Sequence, residues 1–142
     1  MTENEIVVGV PRERVFAVLA DAKRYAEWVV GTAEIRDADT AWPEPGAKLY
    51  HSIGASILRV DDHTEVLECT APERLVLLAH LGPLGVFRVD LRLEDARDGA
   101  TRVVMLEGPV KGISRFAGPV GDAFGSMRNA LSLRRLKHLA ES

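Results

Sequence analysis

The stretch VPRERVFAVLADAKRYAEWVVG (residues 10–31) predicts two short helices in immediate succession. The apolar positions of the first helix follow helical spacing: Val15, Phe16, Val18 and Leu19. Pro11 suits the first helical position, because its missing N–H would be unpaired there in any case. Asp21 interrupts the apolar pattern and is an N-cap candidate for a second helix over residues 22–28. Two short helices that end on Trp28 are suited to closing an opening, so the rest of the chain should supply one.

Composition predicts one ordinary globular domain. The chain has 142 residues, of which 46% are hydrophobic and 27% charged, and a net charge of −3. A chain of this length buries roughly 70% of the surface that it exposes when unfolded, so residues 1–142 are expected to form a single ligand-binding domain. No Lys/Arg block is present, which argues against nucleic acid as a partner. No apolar run approaches the ~18 residues of a membrane span, which argues against stable membrane insertion.

The residues that usually hold metals or cofactors form no recognisable pattern. Cys69 is the only cysteine, so neither a disulfide framework nor a thiolate cluster can form. The four histidines share no metal-ligand spacing, and no glycine-rich phosphate loop is present, so we expect no metal and no cofactor. The N-terminus MTENEIVVGV lacks the basic start and long apolar run of a signal peptide, which predicts a cytoplasmic protein.

The rest of the chain reads as strands followed by one long helix. Strands are predicted at residues 3–10, 32–39, 47–60, 63–70, 74–81, 86–94 and 101–108. Gly54 would be a bulge in the third strand, and Asp61–Asp62 a turn. After a loop over residues 109–118, Pro119 opens a helix that extends to about residue 140. The apolar stripe predicted to face the sheet consists of Phe124, Met127, Leu131, Leu136 and Leu139.

Five stretches resemble one known superfamily: VPRERVFAVLADAKRYAEWV, WPEPGAKLYHSIG, TEVLECTAPERLVL, DGATRVVM and LRRLKHLAE. Together they are similar to the START/Bet v 1-like (SRPBCC) superfamily, and most similar to its polyketide cyclase/dehydrase and lipid-transport group. The resemblance covers essentially the whole chain. It implies an α+β helix-grip fold, in which a curved antiparallel sheet of about seven strands surrounds a long C-terminal helix, with two short helices after the first strand. An apolar cavity would lie between sheet and helix, with Trp28 at its edge or beneath it.

The hairpin around DARDGATR (residues 95–102) has two possible registers, which differ in the side chains that point inward. A two-residue primed turn would pair Leu93 with Val104 and leave Glu107 on the outer surface. A type I turn followed by a left-handed Gly99 would pair Leu93 with Val103 and point Glu107 inward. We favour the second register, because it leaves the arginine of the last strand outside.

Strand alternation and the helix stripe converge on one set of candidate ligand-binding residues. These are Trp28, Leu49, His51, Ile53, Leu77, Phe87, Val89, Met105, Glu107, Phe116, Phe124 and Met127. In the plain structural interpretation, His51 bonds a backbone carbonyl and Glu107 reaches solvent. Alternatively, the two orient a ligand or act as general acid and base. An inward carboxylate is costly to desolvate, and His51 is the natural partner of Glu107 if their strand ends lie close together.

Three classes of function are compatible with these residues. The favoured one is binding or carrying a small apolar, lipid-like ligand in an internal cavity, by a monomer or a homodimer. The alternative is a cyclase/dehydratase-like enzyme that acts on an apolar, polyketide-like substrate through His51 and Glu107. A further alternative is an interaction module with a filled core. A polar pair within mutual reach would favour the enzyme, a dry apolar cavity the carrier, and a filled interior the interaction module.

Overall fold

A computed structural model describes residues 1–54, 59–112 and 118–142. The strands are β1 (Thr2–Val8), β2 (Thr32–Ala38), β3 (Lys48–Ile53), β4 (Val60–Thr70), β5 (Arg74–His80), β6 (Val86–Asp95) and β7 (Thr101–Lys111). The helices are α1 (Arg12–Leu19), α2 (Tyr25–Trp28) and α3 (Gly118–Glu141). Among these helices, none combines the length and the apolar character needed to cross a membrane.

The seven strands form one antiparallel sheet in the order β1-β7-β6-β5-β4-β3-β2. Since β1 and β2 lie at opposite edges, the connection that carries α1 and α2 must cross from one edge to the other. On the way α1 contacts β6, α2 contacts β2, and both contact α3. The curved sheet, the long C-terminal helix and the short helices after β1 confirm the predicted helix-grip fold.

The two short helices begin and end close to where the sequence places them. Pro11 is extended, with φ of −63° and ψ of 158°, and occupies the N-cap of α1 rather than its first turn. The carboxylate of Asp21 accepts a hydrogen bond from the backbone N–H of Lys23 at 3.1 Å, which is the predicted N-cap. A single turn of 3-10 helix, Ala22–Arg24, then leads into α2.

The prediction of one long strand over residues 47–60 is wrong. β3 ends at Ile53, and β4 begins at Val60, which pairs directly with Ile53. Gly54 follows β3 with φ of 89°, a left-handed conformation that glycine adopts without steric cost. Asp61 and Asp62, predicted as a turn, instead belong to β4. Their position is stabilised in part by the 2.9 Å hydrogen bond from the Gly82 backbone N–H to the Asp62 carboxylate.

The β6–β7 hairpin adopts the favoured register, in which Leu93 pairs with Val103. The predicted type I geometry is wrong, because Asp98 is itself left-handed, with φ of 55°, as is Gly99 with φ of 74°. Aspartate tolerates this region better than most residues. β7 also continues to Lys111, where a loop was predicted from residue 109. The register places Glu107 on the inner side of the sheet, 5% exposed.

The predicted inner face of α3 is wrong over residues 124–131. Phe124 and Met127 are 70% and 63% exposed, and Leu131 is 42% exposed. The buried residues of the helix are Asn129, Ser132, Leu133, Leu136 and Ala140. At 100° per residue these two sets lie on opposite sides of the helix. Phe124, Met127 and Leu131 thus point outward, while the inner side combines the polar Asn129 and Ser132 with Leu133, Leu136 and Ala140.

Along the strands, the interior of the protein changes from a packed apolar core to empty space. Toward the β6–β7 hairpin, Leu75, Leu91, Leu93 and Val103 pack with Val15, Leu19, Leu133 and Leu136 in one buried cluster. Each fully buried leucine of this kind contributes about 1.5–3 kcal/mol of transfer free energy. Further along the same strands, Leu77, Ala79 and Val89 line empty space between the sheet and the helices.

Candidate functional site

A cavity of about 330 Å³, here called the main cavity, lies between the sheet and the helices α2 and α3. The apolar part of its sheet wall consists of Ile53, Val60, Leu77, Ala79, Val89 and Met105. Tyr25 and Trp28 of α2, and Asn129 and Ser132 of α3, form the helix side. The volume falls in the range of ligand pockets, which begins at about 300 Å³.

The main cavity brings together most of the residues predicted from the sequence. They are Trp28, His51, Ile53, Leu77, Val89, Met105 and Glu107. Phe87 and Phe124 line instead a second cavity, of about 410 Å³, between β7 and the first turns of α3. The first turns of α3 carry three glycines, at positions 118, 121 and 125, which leave this space unfilled.

Two of the predicted residues, Leu49 and Met127, line neither cavity. Leu49 points inward, but it is fully buried within the apolar core, away from both cavities. Met127 lies on the outer side of α3. Phe116 lies outside the described residues. The alternation of β3 thus correctly predicted that Leu49 points inward, but it could not indicate how far Leu49 lies from the cavities.

The two tryptophans flank Tyr25, and only Trp28 lines the main cavity. Its ring meets that of Tyr25 edge to face, with centroids 5.6 Å apart. Trp42 is also buried, on the other side of Tyr25, with ring centroids 6.4 Å apart. Its indole N–H donates to the carbonyl of Leu19 at 3.2 Å, which ties the turn after β2 to the end of α1.

His51 is a buried polar group with one unused nitrogen. Its Nε2 lies 2.9 Å from the hydroxyl oxygen of Thr64, whereas its Nδ1 is buried without a hydrogen-bond partner. Burial lowers the pKa of His51 to about 4, against the opposing influence of Asp62. The imidazole is therefore neutral near pH 7 and can donate a hydrogen bond from only one of its two nitrogens.

Tyr25 and Thr64 extend this polar group along the cavity. The hydroxyl of Thr64 also hydrogen-bonds the phenol of Tyr25, and burial raises the pKa of that phenol. The rings of Tyr25 and His51 are parallel within 6°, with centroids 6.2 Å apart. Thr64 thus connects two polar side chains, Tyr25 and His51, that both line the main cavity.

Glu107 is held by two residues of α3. Its Oε2 accepts from Nη2 of Arg128 at 2.6 Å, and its Oε1 accepts from Nδ2 of Asn129 at 3.0 Å. Nδ2 of Asn129 also lies 3.2 Å from the hydroxyl of Thr2, so this group joins β1, β7 and α3. The expectation that His51 would be the partner of Glu107 is therefore wrong. The long helix satisfies the buried carboxylate because it lies directly over the end of β7.

The Glu107–Arg128 ion pair stands where the two cavities meet. Both side chains line the main cavity and the second cavity. The side chain of Arg128 is 28% exposed and that of Glu107 6% exposed. Of the two charged groups, the guanidinium is therefore the one more accessible from the cavities.

Sequence reasoning missed Tyr25, Arg128, Asn129 and Ser132. A signal for the last two was present, because Asn129, Ser132, Leu133 and Leu136 share the spacing of one helix face. Polar residues within a buried stripe indicate polar partners opposite. The hydrophobicity of Phe124 and Met127 obscured this signal, because it favoured the opposite side of α3.

His51 and Glu107 do not form a connected acid–base pair. His51 bonds Thr64, while Glu107 bonds Arg128 and Asn129, and no hydrogen bond joins the two. In the same part of the chain, no group of three or more His, Cys, Asp or Glu residues could hold a metal ion. What the arrangement provides is an apolar enclosure with a few fixed hydrogen-bonding positions.

Comparison of sequences gives one family. The family model described as "Activator of Hsp90 ATPase homolog 1-like protein" matches residues 9–140. No curated protein matches the chain.

Solved structures of similar fold cover almost the whole chain. Protein CV1439 from Chromobacterium violaceum is 18% identical, with a TM-score of 0.71 over 99% of this chain and 96% of its own. Hypothetical protein jhp0584 from Helicobacter pylori is 16% identical, with a TM-score of 0.75 over 98% of this chain and 86% of its own. Ara h 8.0201 is 13% identical, with a TM-score of 0.72 over 97% and 95%. At these identities the likeness concerns the fold alone.

Proposed function

Because the chain belongs to the activator of Hsp90 ATPase homolog 1-like family, within the START/Bet v 1-like superfamily, we propose that it binds a small, largely apolar ligand in the main cavity. This fold commonly binds hydrophobic ligands. The proposal also rests on this chain's own residues, since a shared fold does not by itself fix a function.

The observation that carries the proposal is an apolar enclosure of about 330 Å³ with His51 and Tyr25 as polar groups in its wall. His51 is 1% exposed, and its second nitrogen has no hydrogen-bond partner. An unsatisfied buried polar atom costs about 1–3 kcal/mol. The nitrogen itself has almost no accessible surface, so the free energy of binding comes from the apolar body of the ligand, which gains about 25 cal/mol for each Å² removed from water.

Binding is better supported than the two alternatives. The cyclase/dehydratase-like reaction needs His51 and Glu107 to act on one substrate, and each is engaged by other residues. The interaction module with a filled core needs an interior without usable space, whereas the described residues enclose about 330 Å³.

The two tryptophans provide a test with an internal control. We expect 1-decanol, which does not absorb in the near ultraviolet, to displace cavity water next to Trp28 and shift its emission to shorter wavelength. Trp42→Phe, which leaves Trp28 as the only indole, should keep this response during a titration. Trp28→Phe, which leaves Trp42, should lose most of it, because Trp42 does not line the cavity.

Binding itself is measured in parallel by isothermal titration calorimetry. The proposal predicts saturable binding to the wild type and to Trp42→Phe. Equal emission changes in the two variants would remove Trp28 from the ligand's surroundings. The absence of heat with wild-type protein, together with an unchanged emission spectrum, would reject the cavity as a binding site for this class of ligand.

A further inference from the structure

The hydrogen bonds around Glu107 leave its carboxylate occupied. Each of its two oxygens already accepts a hydrogen bond from α3, one from Arg128 and one from Asn129. The side chain is only 6% exposed, so little of it meets the space of either cavity. A ligand in contact with this region therefore meets few available acceptors.

Arg128, by contrast, has N–H donors that make no hydrogen bond to the described residues. A guanidinium has five N–H donors on three nitrogens. Within the described residues, both hydrogen bonds of Arg128 leave from Nη2, one to Glu107 at 2.6 Å and one to the side-chain oxygen of Asn129 at 3.3 Å. The donors on Nε and Nη1 are left for another partner, and the side chain lines both cavities.

The charge at this position is already balanced. Arg128 contributes one positive charge and Glu107 one negative charge, at a nitrogen–oxygen distance of 2.6 Å. A second carboxylate placed here would lose its water in an apolar enclosure and would face the charge of Glu107 as well as that of Arg128. A neutral acceptor meets the same donors without either cost.

We infer that the ligand of this protein carries a neutral carbonyl, as in a ketone, ester or amide, that accepts a hydrogen bond from Arg128 at the junction of the two cavities. A hydroxyl is a poorer match, because it brings a donor to a place where the acceptors are already used. This inference rests on the proposed function and specifies its ligand class. Glu107 then acts as the residue that excludes carboxylates.

Three compounds of nearly the same shape test the inference by isothermal titration calorimetry: 2-acetylnaphthalene, 2-ethylnaphthalene and 2-naphthoate. The wild type should bind the ketone about tenfold more tightly than the hydrocarbon, as expected for one hydrogen bond to a charged donor. It should bind the naphthoate at least about tenfold more weakly than the ketone.

Two variants assign the selectivity to the ion pair. Glu107→Gln removes the negative charge and keeps the shape, so naphthoate affinity should rise about tenfold. Arg128→Met should erase the advantage of the ketone over the hydrocarbon. Arg135→Met, on the exposed side of the same helix, should change neither ratio. Circular dichroism verifies folding, and if Arg128→Met does not fold, Glu107→Gln still tests the inference.

The outcomes separate this inference from the proposed function. Equal affinities for the three compounds, or tightest binding of the naphthoate, would overturn the inference and leave the cavity as a general apolar site. An unchanged naphthoate affinity in a folded Glu107→Gln would also overturn it. If neither the naphthalenes nor 1-decanol bind to the wild type, the proposed function itself is rejected.

Discussion

His51 lines the main cavity, and its burial makes the stability of the folded protein depend on pH. It is neutral near pH 7, because burial lowers its pKa to about 4. When the chain unfolds, the imidazole returns to water and to its ordinary pKa of 6.5. The unfolded state therefore takes up a proton first as the pH falls, and stability that is complete above about pH 6.5 is lost progressively down to about pH 4.

We predict that His51→Gln removes this part of the pH dependence. Between pH 7 and pH 5 the wild type should lose about 2 kcal/mol of unfolding free energy through His51, and the variant should not. Urea denaturation at the two pH values gives the difference between the two proteins. Because carboxylates that titrate in both proteins cancel, the comparison isolates the histidine.

The control is His138→Gln, which replaces an exposed histidine on α3. Its pH dependence should follow that of the wild type. If His51→Gln and the wild type lose the same unfolding free energy between the two pH values, the imidazole is not held neutral by burial.

The long helix α3 has two apolar faces, and its sequence does not mark which one is buried. In the C-terminal half, Leu136 is fully buried, as predicted. Over residues 128–132, the inner positions are held by Arg128, Asn129 and Ser132, whose partners include Glu107 and the backbone N–H of Val30. Those partners are distant in sequence, so the hydrophobic pattern of the helix alone could not indicate them.

Two leucines of α3 test which side faces the sheet. Leu136→Ala should reduce the unfolding free energy by about 2–5 kcal/mol, because it leaves a cavity in the core. Leu131→Ala, at a position that is 42% exposed, should change it by less than about 0.5–1 kcal/mol. Urea denaturation of both variants measures the difference. A larger loss for Leu131→Ala would show that the helix is rotated relative to the structure described.

The turn between β5 and β6 packs closely against the backbone at the end of β7. Gly85 has φ of 108°, and a Cβ at this position would lie 2.1 Å from the carbonyl oxygen of Lys111. The obstructing atom belongs to the backbone of β7 and cannot rotate away. Leu81 of this turn lines both cavities, so this close backbone contact also influences the shape of the site.

Gly85→Ala should therefore be severely destabilising, by about 3 kcal/mol or more. Gly99→Ala is a matched control, since Gly99 also has a positive φ, of 74°, but nothing lies within 4 Å of an added Cβ. Its cost should be only the strain of a left-handed alanine, about 1 kcal/mol. Thermal unfolding of the two variants distinguishes them. Similar losses of stability in the two variants would mean that the backbones of Gly85 and Lys111 lie further apart than described.

For the whole molecule, local signals predicted the fold well. The Asp21 N-cap, the alternation of β5 to β7 and the length of α3 are each properties of neighbouring residues, and they predicted the order of the elements. The helix-grip arrangement of these elements was predicted from the resemblance to the START/Bet v 1-like superfamily. The β3–β4 connection was misplaced because Asp61 and Asp62 have the composition of a turn. Only the pairing of the two strands, with Ile53 opposite Val60, reveals that they lie within β4.

The site was predicted only in part. Strand alternation correctly placed His51 and Glu107 on the inner side, since it depends on a period of two residues. The partners of Glu107 depend on how α3 lies over β7, a contact between positions 21 and 22 residues apart that the pattern of neither element contains.

The central claim, that a small apolar ligand occupies the main cavity, is tested most directly by methyl NMR during a titration with 1-decanol. β5 and β6 each provide a matched pair of buried methyl groups. Leu77 and Val89 line the main cavity, whereas Leu75 and Leu91 on the same strands belong to the filled core. Outside the cavity, Met127 and Leu131 report on the exposed side of α3.

We predict saturable shifts of the Leu77, Val89 and Met105 methyl signals, with much smaller shifts for Leu75 and Leu91. Binding at the molecular surface would instead shift the Met127 and Leu131 signals and leave Leu77 and Val89 unchanged. That result, or no shift at any of these methyl groups, would contradict the account.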